Sequence, residues 1–343
     1  MAGCGKLTPI MTNPIIAEVT RGSIVESRHR GAYAVFSLRH GLLNAVGDIT
    51  SPVFPRSAVK AFQCIPVLRC GAAKAFNFSS EDIALCCASH GGEERHVQVA
   101  RGILQKADVE ERCLECGAHL PTSRDAANAL IRSGSPALAI HNACSGKHAG
   151  MLAFAKFAGS SLHDYGNPEH PIQLAVAATL EEYCECNLDE VPCGIDGCSI
   201  PTWALPLERF ALGFAKLTNA EDAAGNAIIE AVRQHPFMIA GTGQFDTKIM
   251  QAVPRLFIKF GAEGVYCGAI PHAGLGFALK CDDGAIRGAE VAVAQMLAGL
   301  DVWTANERTA ISAMSHKTLR NARQLEVGEI RSARIASQIR VAD

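Results

Sequence analysis

The order of secondary-structure signals along the chain constrains the fold most. Strand-like segments with β-branched residues and alternating polarity occur near the beginning, at 15–20, 23–26 and 32–37, and again at 255–260, 265–270 and 276–280. Between the two groups the hydrophobic periodicity is helical, and Gly and Pro separate the segments. This order predicts one antiparallel sheet built from both groups of strands, a helical lobe between them in sequence, and a cleft where the two lobes meet.

The same signals define the predicted domain boundaries. The chain is expected to form a single two-lobed domain over 1–343, with a sheet lobe from about 10–56 and 254–300 and a helical lobe from about 57–253. The arginine-rich segment 303–343 is expected to form a C-terminal polar helix or arm that is solvated or contacts another subunit.

Composition excludes several classes of protein. With 343 residues, 48% of them hydrophobic, the chain has enough apolar side chains for a core of enzyme size. The net charge of −2 indicates no nucleic-acid partner and no anionic membrane surface. No secretory segment begins the sequence and no apolar run approaches about 20 residues, so we expect a cytoplasmic protein. Its 14 cysteines are then expected to be reduced thiols rather than a disulfide framework.

A serine and a lysine, Ser57 and Lys60, lie three residues apart at the start of the helical region. On a helix this spacing places the hydroxyl and the amine side by side. An amine whose pKa is lowered by burial and nearby positive charge can take the hydroxyl proton and make the serine an acyl acceptor. The pair therefore indicates amide or ester hydrolysis, with a solvated helix face as the alternative interpretation.

Three other segments combine Gly, His, Cys and charged residues more densely than packing requires. They are 87–93, 141–150 and 193–201. The first contains Ser89 and His90 before a Gly-Gly break, and Glu93 is placed to begin the next helix. Its alternative interpretation is the end of a helix.

The second and third segments contain candidate metal ligands. Cys144 and Lys147 are three residues apart at the start of a predicted helix, and Cys198 follows Asp196 in a turn-rich loop. A thiolate near a helix N-terminus has a lowered pKa and is a soft ligand, so the two cysteines are candidates for Zn²⁺. An unprotonated lysine is an uncommon third ligand, available once the metal displaces its proton. The alternative is two loop cysteines that hold no metal.

One more lysine, Lys259, ends a predicted strand just before a turn bounded by Gly261 and Gly264. A lysine at a strand end that faces a cleft can supply a second amine to a serine. A hairpin with an exposed lysine is the alternative.

Six motifs occur in one order over residues 55–265. They are PRSAVK at 55–60, ASHGGE at 88–93, CGAHLP at 116–121, HNACSGKHAGM at 141–151, GC at 197–198 and KFGAEGV at 259–265. Together they resemble the Rhizobium etli type L-asparaginases, the third structural class of asparaginase. The one departure is Gly91, where that family is expected to carry a serine.

The resemblance implies a fold similar to that of serine β-lactamases and penicillin-binding proteins. This is an α/β fold of the α+β kind, with an antiparallel sheet flanked by helices and a helical subdomain. It also implies an amidohydrolase that converts L-asparagine to L-aspartate and ammonia, and we expect a homodimer.

The resemblance further implies roles for individual residues. Ser57 with Lys60 and Ser89 with Lys259 would form two serine-lysine tandems, and Ser57, deprotonated by Lys60, would attack the carboxamide. The implied metal site consists of Cys144, Lys147 and Cys198 as Zn²⁺ ligands, with Asp196 beside them orienting a bound water. The substrate-binding residues are expected to be Arg56, whose planar fork suits a carboxylate, together with His90 and Glu93.

Two other classes of function stay open at this point. One is a penicillin-recognising peptidase or β-lactamase-like hydrolase on the same fold, against which the absence of a Lys-Thr-Gly strand argues. The other is a non-enzymatic zinc-dependent binding protein, in which both serines would have no chemical role.

Overall fold

The computed structural model of the chain describes residues 12–333. The strands in this part are β1 (Ile15–Arg21), β2 (Ile24–Ser37), β3 (Gly41–Val46), β4 (Pro52–Val53), β5 (Cys193–Ile195), β6 (Pro201–Trp203), β7 (Leu205–Pro206), β8 (Phe257–Gly261), β9 (Val265–Ile270), β10 (Leu275–Cys281), β11 (His316–Arg320) and β12 (Glu326–Ser332). The helices are α1 (Lys60–Arg69), α2 (Ala72–Ala75), α3 (Ser80–Cys86), α4 (Glu94–Lys106), α5 (Arg124–Arg132), α6 (Ser145–Phe157), α7 (Pro171–Cys184), α8 (Leu207–Lys216), α9 (Ala223–Gln234), α10 (Pro236–Ala240), α11 (Phe245–Ala252), α12 (Ile286–Ala298) and α13 (Ala305–Ala313).

Strands from both ends of the described chain form one antiparallel sheet. The order is β11-β12-β1-β2-β10-β9-β8, and β3 also pairs with β2. The elements between β4 and β8 are mostly helical, apart from the short pairs β4-β7 and β5-β6. The predicted α+β fold, with an antiparallel sheet and a helical lobe, is therefore confirmed.

Strand β2 belongs to both halves of the sheet. Its first half pairs with β1, from Ile24 to Arg30, and its second half pairs with β10, from Gly31 to Ser37. A Cβ atom on Gly31 would lie 2.3 Å from the carbonyl oxygen of Lys280 and 2.5 Å from Ile16 Cδ1. Only glycine leaves room for the backbone where the strand changes partners.

Helix α8 lies against the sheet, although we predicted it within the helical lobe. A Cβ atom on Gly276 of β10 would lie 2.1 Å from the Ala215 nitrogen and 2.2 Å from the Ala211 oxygen, both in the α8 backbone. The missing side chain allows the helix backbone to contact the strand directly. The reason for the difference is the apolar face of α8, which buries Phe210 and Phe214.

The prediction of a C-terminal polar helix or arm over 303–343 is wrong for most of its described part. The short helix α13 does form there, but residues 316–332 then form β11 and β12, which extend the sheet beyond β1. Ile330 is buried against Ala17, Val19 and Val291, while Arg331 on the other face forms an ion pair with Glu18. The polar residues therefore mark the exposed face of an edge hairpin. Residues 334–343 lie outside the described part.

Two further expectations concern the cysteines and membrane association. All 13 cysteines in residues 12–333 are free thiols, as predicted. Within that range, every helix is too short or too polar to cross a lipid bilayer.

Candidate active site

Lys60 lies at the start of α1, and its side chain is completely buried. Its Nζ donates hydrogen bonds to the Ala88 carbonyl oxygen at 2.5 Å, to Ser89 Oγ at 2.9 Å and to Cys144 Sγ at 3.1 Å. These three contacts leave no N–H group of the buried lysine without a partner. The amine joins the serine of one motif to the thiol of another.

Ser57 precedes Lys60 in a 3₁₀ turn, Arg56–Val59, rather than in an α-helix. No hydrogen bond connects its hydroxyl to Lys60, or Ser89 to Lys259, among residues 12–333. The serine-lysine contact in this structure is therefore not one of the two expected pairs, because the amine of Lys60 contacts Ser89. The reason is that Ala88, Ser89 and Cys144 already provide the buried amine with three hydrogen-bond partners.

Ser89 and His90 form an extended segment after α3, held by backbone hydrogen bonds from Ser89 N to Ile239 O and from His90 N to Ala143 O. The Gly92 N–H donates to His90 Nδ1 at 3.1 Å, so Nε2 carries the proton and bonds to Ser145 Oγ at 3.0 Å. Burial lowers the pKa of His90 well below its ordinary value. His90 is thus a neutral side chain, held in place by both ring nitrogens next to Ser89.

Lys259 lies on β8 and is also buried, with 1% of its surface exposed. Its Nζ donates to the Phe260 carbonyl oxygen at 2.6 Å. Burial lowers the pKa of Lys259 to about 7, although the negative charge of Asp246 opposes the shift. Lys60 and Cys144 also act on the pKa of Lys259 through their charges. Lys259 therefore lies within electrostatic range of both residues. A lysine in this state can hold or release a proton near neutral pH.

The predicted metal ligands Cys144, Lys147 and Cys198 lie together in the structure. Lys147 Nζ donates to Cys198 Sγ at 2.9 Å, and the Cys198 thiol contacts Asp196 Oδ2 at 3.5 Å. The other carboxylate oxygen of Asp196 accepts a hydrogen bond from Arg56 Nε at 2.5 Å. A continuous polar network therefore runs from Arg56 through the two predicted metal-binding segments to Lys60 and Ser89.

Charge is shared unequally between the two thiols. The hydrogen bond from Cys198 holds the pKa of Cys144 well below its ordinary value, and the positive charges of Lys60 and Lys147 act in the same direction, while burial opposes them. The same hydrogen bond, with burial, raises the pKa of Cys198. Burial alone would lower the pKa of Lys147, but the two sulfurs outweigh it and raise that pKa. These directions favour the charged forms of Cys144 and Lys147.

This set of donors fits a zinc ion. Two sulfurs and one amine, linked through Cys198, resemble a site with three protein ligands and one open position. Tetrahedral ligands at the usual zinc distances lie roughly 3.3–3.8 Å apart, so Lys147 Nζ and Cys198 Sγ, now at 2.9 Å, would move apart by about half an ångström to bind the metal. The loss of the Cys198 and Lys147 protons would free both lone pairs for the metal.

The sequence profile of the L-asparaginase II family matches residues 17–332. The chain belongs to the L-asparaginase II family. The matched region covers all the motifs that carried the resemblance to asparaginases. The finer assignment to the Rhizobium etli type stays a prediction.

Other comparisons give only distant similarities for this L-asparaginase II family member. No curated protein matches the chain. Among solved structures it is similar to a putative beta-lactamase from Bacteroides dorei DSM 17855, with a TM-score of 0.36 and 14% identity over 73% of this chain and 84% of that one. It is also similar to a beta-lactamase from Mycobacterium bovis, with a TM-score of 0.34 and 11% identity over 83% and 94% of the two chains.

A cavity of about 320 Å³ opens onto the Ser89 side of the cluster in this asparaginase family member. Its walls are Ser89, Thr122, Ala143, Ala240, Gln244, Phe245, Asp246, Phe260, Tyr266, Ile286 and Glu290. Its volume lies at the small end of the range typical for ligand pockets, about 300–1,000 Å³. The acids Asp246 and Glu290 were not identified from sequence, because neither belongs to a motif and helix positions 246 and 290 carry no chemical signal.

Two predicted substrate-binding residues have side-chain partners within the protein, and their role in binding substrate stays a prediction. Glu93 accepts hydrogen bonds from the Thr242 backbone N–H at 2.8 Å and from Thr242 Oγ1 at 2.7 Å, which fixes the loop after α10. Arg56 is paired with Asp196, and 28% of its side chain is exposed. Neither residue lines the cavity at Ser89.

Gly91, which stands where a serine was expected, lies in a tightly packed position. A Cβ atom there would lie 3.2 Å from Ser123 Cβ and 3.3 Å from Glu93 Oε1. Any larger residue would need these neighbours to move by a few tenths of an ångström. The absence of the expected serine therefore suits the present packing of the loop before α5.

Proposed function

We propose that the protein hydrolyses L-asparagine to L-aspartate and ammonia through an acyl-enzyme formed on a serine with a lysine as its base. Membership of the L-asparaginase II family supports the substrate class. The observation that carries the mechanism is the 2.9 Å contact between Lys60 Nζ and Ser89 Oγ at the wall of a small cavity. A hydroxyl held by a buried amine is the arrangement that serine-lysine catalysis requires.

The contacts of Lys60 support Ser89 as the attacking hydroxyl. A neutral amine has two N–H groups and one lone pair. The N–H groups match Ala88 O and Cys144 Sγ, and the lone pair matches the Ser89 hydroxyl. Ser57, to which sequence analysis assigned the attack, has no such contact, and its role stays a prediction that a variant can test.

The proposed reaction has two displacements. The Ser89 proton passes to Lys60 Nζ while Oγ bonds to the carboxamide carbon of the substrate, and the C–N bond then breaks as the departing nitrogen takes that proton and leaves as ammonia. Water next gives a proton to Lys60 and attacks the ester carbon. The C–Oγ bond breaks, and Ser89 recovers its proton.

Lys259 is proposed as the second amine of the site. Because its pKa is lowered to about 7, a large fraction of the side chain is neutral at physiological pH. A neutral lysine near Lys60 has a free lone pair that can accept a proton during the reaction. Its proposed role is to support Lys60.

We also propose that Cys144, Lys147 and Cys198 hold Zn²⁺, with Asp196 fixed by Arg56 beside them. A bound zinc would supply a Lewis acid that orients water or substrate. Cys144 also accepts a hydrogen bond from Lys60 Nζ, and this contact holds the amine in position. The homodimer and the cytoplasmic location stay predictions.

Ammonia release tests the proposal directly. The purified protein would be assayed with L-asparagine, L-glutamine and a penicillin, with ring opening followed for the penicillin. We expect turnover of L-asparagine above the other two. Hydrolysis of the penicillin alone would indicate a β-lactamase-like hydrolase, and zinc binding without any turnover would indicate a binding protein.

A further inference from the structure

The cavity at Ser89 contains two carboxylates with different surroundings. Asp246 is buried, and its Oδ2 accepts a hydrogen bond from the Phe260 N–H at 2.8 Å, while the Tyr266 hydroxyl also bonds to it. The nearby charge of Lys259 balances its own. Asp246 is therefore a structural acid whose interactions are already complete.

Glu290 is different. It lies in the first turns of α12, is half-buried, and lines the same cavity. Among residues 12–333 it has no hydrogen bond and no ion pair. Burial raises the pKa of Glu290; the charge of Lys317 opposes the shift most, Asp246 acts in the same direction as burial, and Lys248 opposes it least. A partly desolvated carboxylate without a partner is unfavourable unless a ligand supplies the positive charge.

The remaining walls of the cavity suit a cation. Phe245, Phe260 and Tyr266 surround the space, and the Tyr266 ring lies 5.4 Å from Phe245 and 6.0 Å from Phe260. Ring faces attract ammonium groups, most strongly where water is excluded. Aromatic rings combined with one free carboxylate are a common way of binding an amine.

We propose that Glu290 binds the α-ammonium group of an amino-acid substrate whose side-chain amide lies at Ser89. This inference rests on the proposed function, and it identifies the residue that makes the site select an amino acid over a simple amide. The carboxylate forms a charge-assisted hydrogen bond to the ammonium, and the two groups neutralise each other in the cavity. Glu290 is thus a specificity-determining residue that takes no part in bond making.

Succinamate provides the test, because it is L-asparagine without the α-ammonium group. Ammonia release from both compounds would be measured for the wild type, Glu290→Gln, Glu290→Asp and the control Glu169→Gln, an exposed acid away from the cavity. We expect the wild type to prefer L-asparagine. Glu290→Gln should lower the ratio of the two kcat/KM values by at least about tenfold, mainly through KM. Glu290→Asp should restore part of the ratio, and Glu169→Gln should not change it.

The outcomes separate this inference from the proposed function. A wild type that turns over both compounds equally well, or a Glu290→Gln variant with an unchanged ratio, overturns the role of Glu290 and leaves the asparaginase proposal standing. An equal loss with both compounds also overturns it, because that result indicates a structural defect. A wild type that releases no ammonia from L-asparagine overturns both.

Discussion

The side-chain nitrogen of Lys60 lies 2.9 Å from the hydroxyl oxygen of Ser89, although 29 positions separate the two residues in the sequence. Lys60 begins α1, and Ser89 follows α3 in an extended segment. The contact therefore depends on how these two helices pack around the buried amine. It assigns to Ser89 the partner that spacing alone had assigned to Ser57.

Alanine variants of the two serines distinguish their roles. Ser89→Ala removes the hydroxyl that Lys60 contacts, so we expect kcat for L-asparagine to fall by roughly 10³-fold or more, with an unchanged melting temperature. Ser57→Ala should cost less, because no hydrogen bond within residues 12–333 links that hydroxyl to a lysine. Steady-state ammonia release would measure both. A larger loss in Ser57→Ala than in Ser89→Ala would restore Ser57 as the nucleophile.

The pH dependence of activity should report Lys259. Its pKa is lowered to about 7 by burial, so the amine is charged below that pH and neutral above it. We expect kcat/KM to rise with pH through this region and then level off, because the neutral form supports catalysis. Asp246→Asn removes the negative charge that opposes the shift, which should lower the pKa of Lys259 further and move the rise to lower pH.

Lys259→Met is the matching variant for this pH profile. It should cost about 10²–10⁴-fold in rate and remove the rise near pH 7. Lys74→Met, which replaces an exposed lysine away from the site, serves as the control. A rise that survives in Lys259→Met would belong to another group.

Zinc content tests the proposed ligands without reference to activity. After dialysis against a weak chelator, the wild type should retain about one zinc ion per chain. Lys147→Ala and Cys198→Ser each remove one donor and should retain much less. Lys156→Ala lies on the same helix, outside the cluster, and should behave as the wild type does. Elemental analysis giving the same zinc content in all four proteins would rule out this ligand set.

Two glycine variants should change stability in opposite directions. Gly31→Ala places a Cβ atom 2.3 Å from the Lys280 carbonyl oxygen, so we expect a loss of more than about 3 kcal/mol in the free energy of unfolding. Gly102 lies within α4 with no atom within 4 Å of an added Cβ. Gly102→Ala should stabilise the protein by about 0.5–1 kcal/mol. Urea unfolding measures both, and equal effects would contradict the close approach at Gly31.

Local signals predicted most elements that have their own periodicity. Strands β9 and β10 lie within a residue of their predicted positions, 265–270 and 276–280. Strand β2 was expected as two pieces, because Arg28, His29 and Arg30 interrupt its apolar pattern. In the structure the charged side chains of Arg28 and Arg30 point to solvent while His29 is buried, which is the alternation of a continuous strand.

The order of the elements predicted that strands from both ends share one sheet, but not which strand pairs with which. The β12 strand pairs with β1, and nothing local to either segment specifies its partner. The same limit applies within the site. The motifs supplied Lys60, Ser89, Cys144 and Cys198, but the choice of which hydroxyl contacts which amine depends on helix packing. Glu290 belongs to no sequence motif. It was identified only from the structure, as a half-buried carboxylate without a hydrogen bond or ion pair among residues 12–333.

The pairing of β1 with β12 has a consequence for biosynthesis. Ala17 lies opposite Ser332, so the ribosome has to make about 315 further residues before β1 meets its second neighbour. At a synthesis rate of about 5–20 residues per second, this delay lasts roughly 15–60 s. Throughout it, one edge of the nascent β1 strand has unpaired backbone N–H and C=O groups, a surface to which chaperones and aggregating chains both bind.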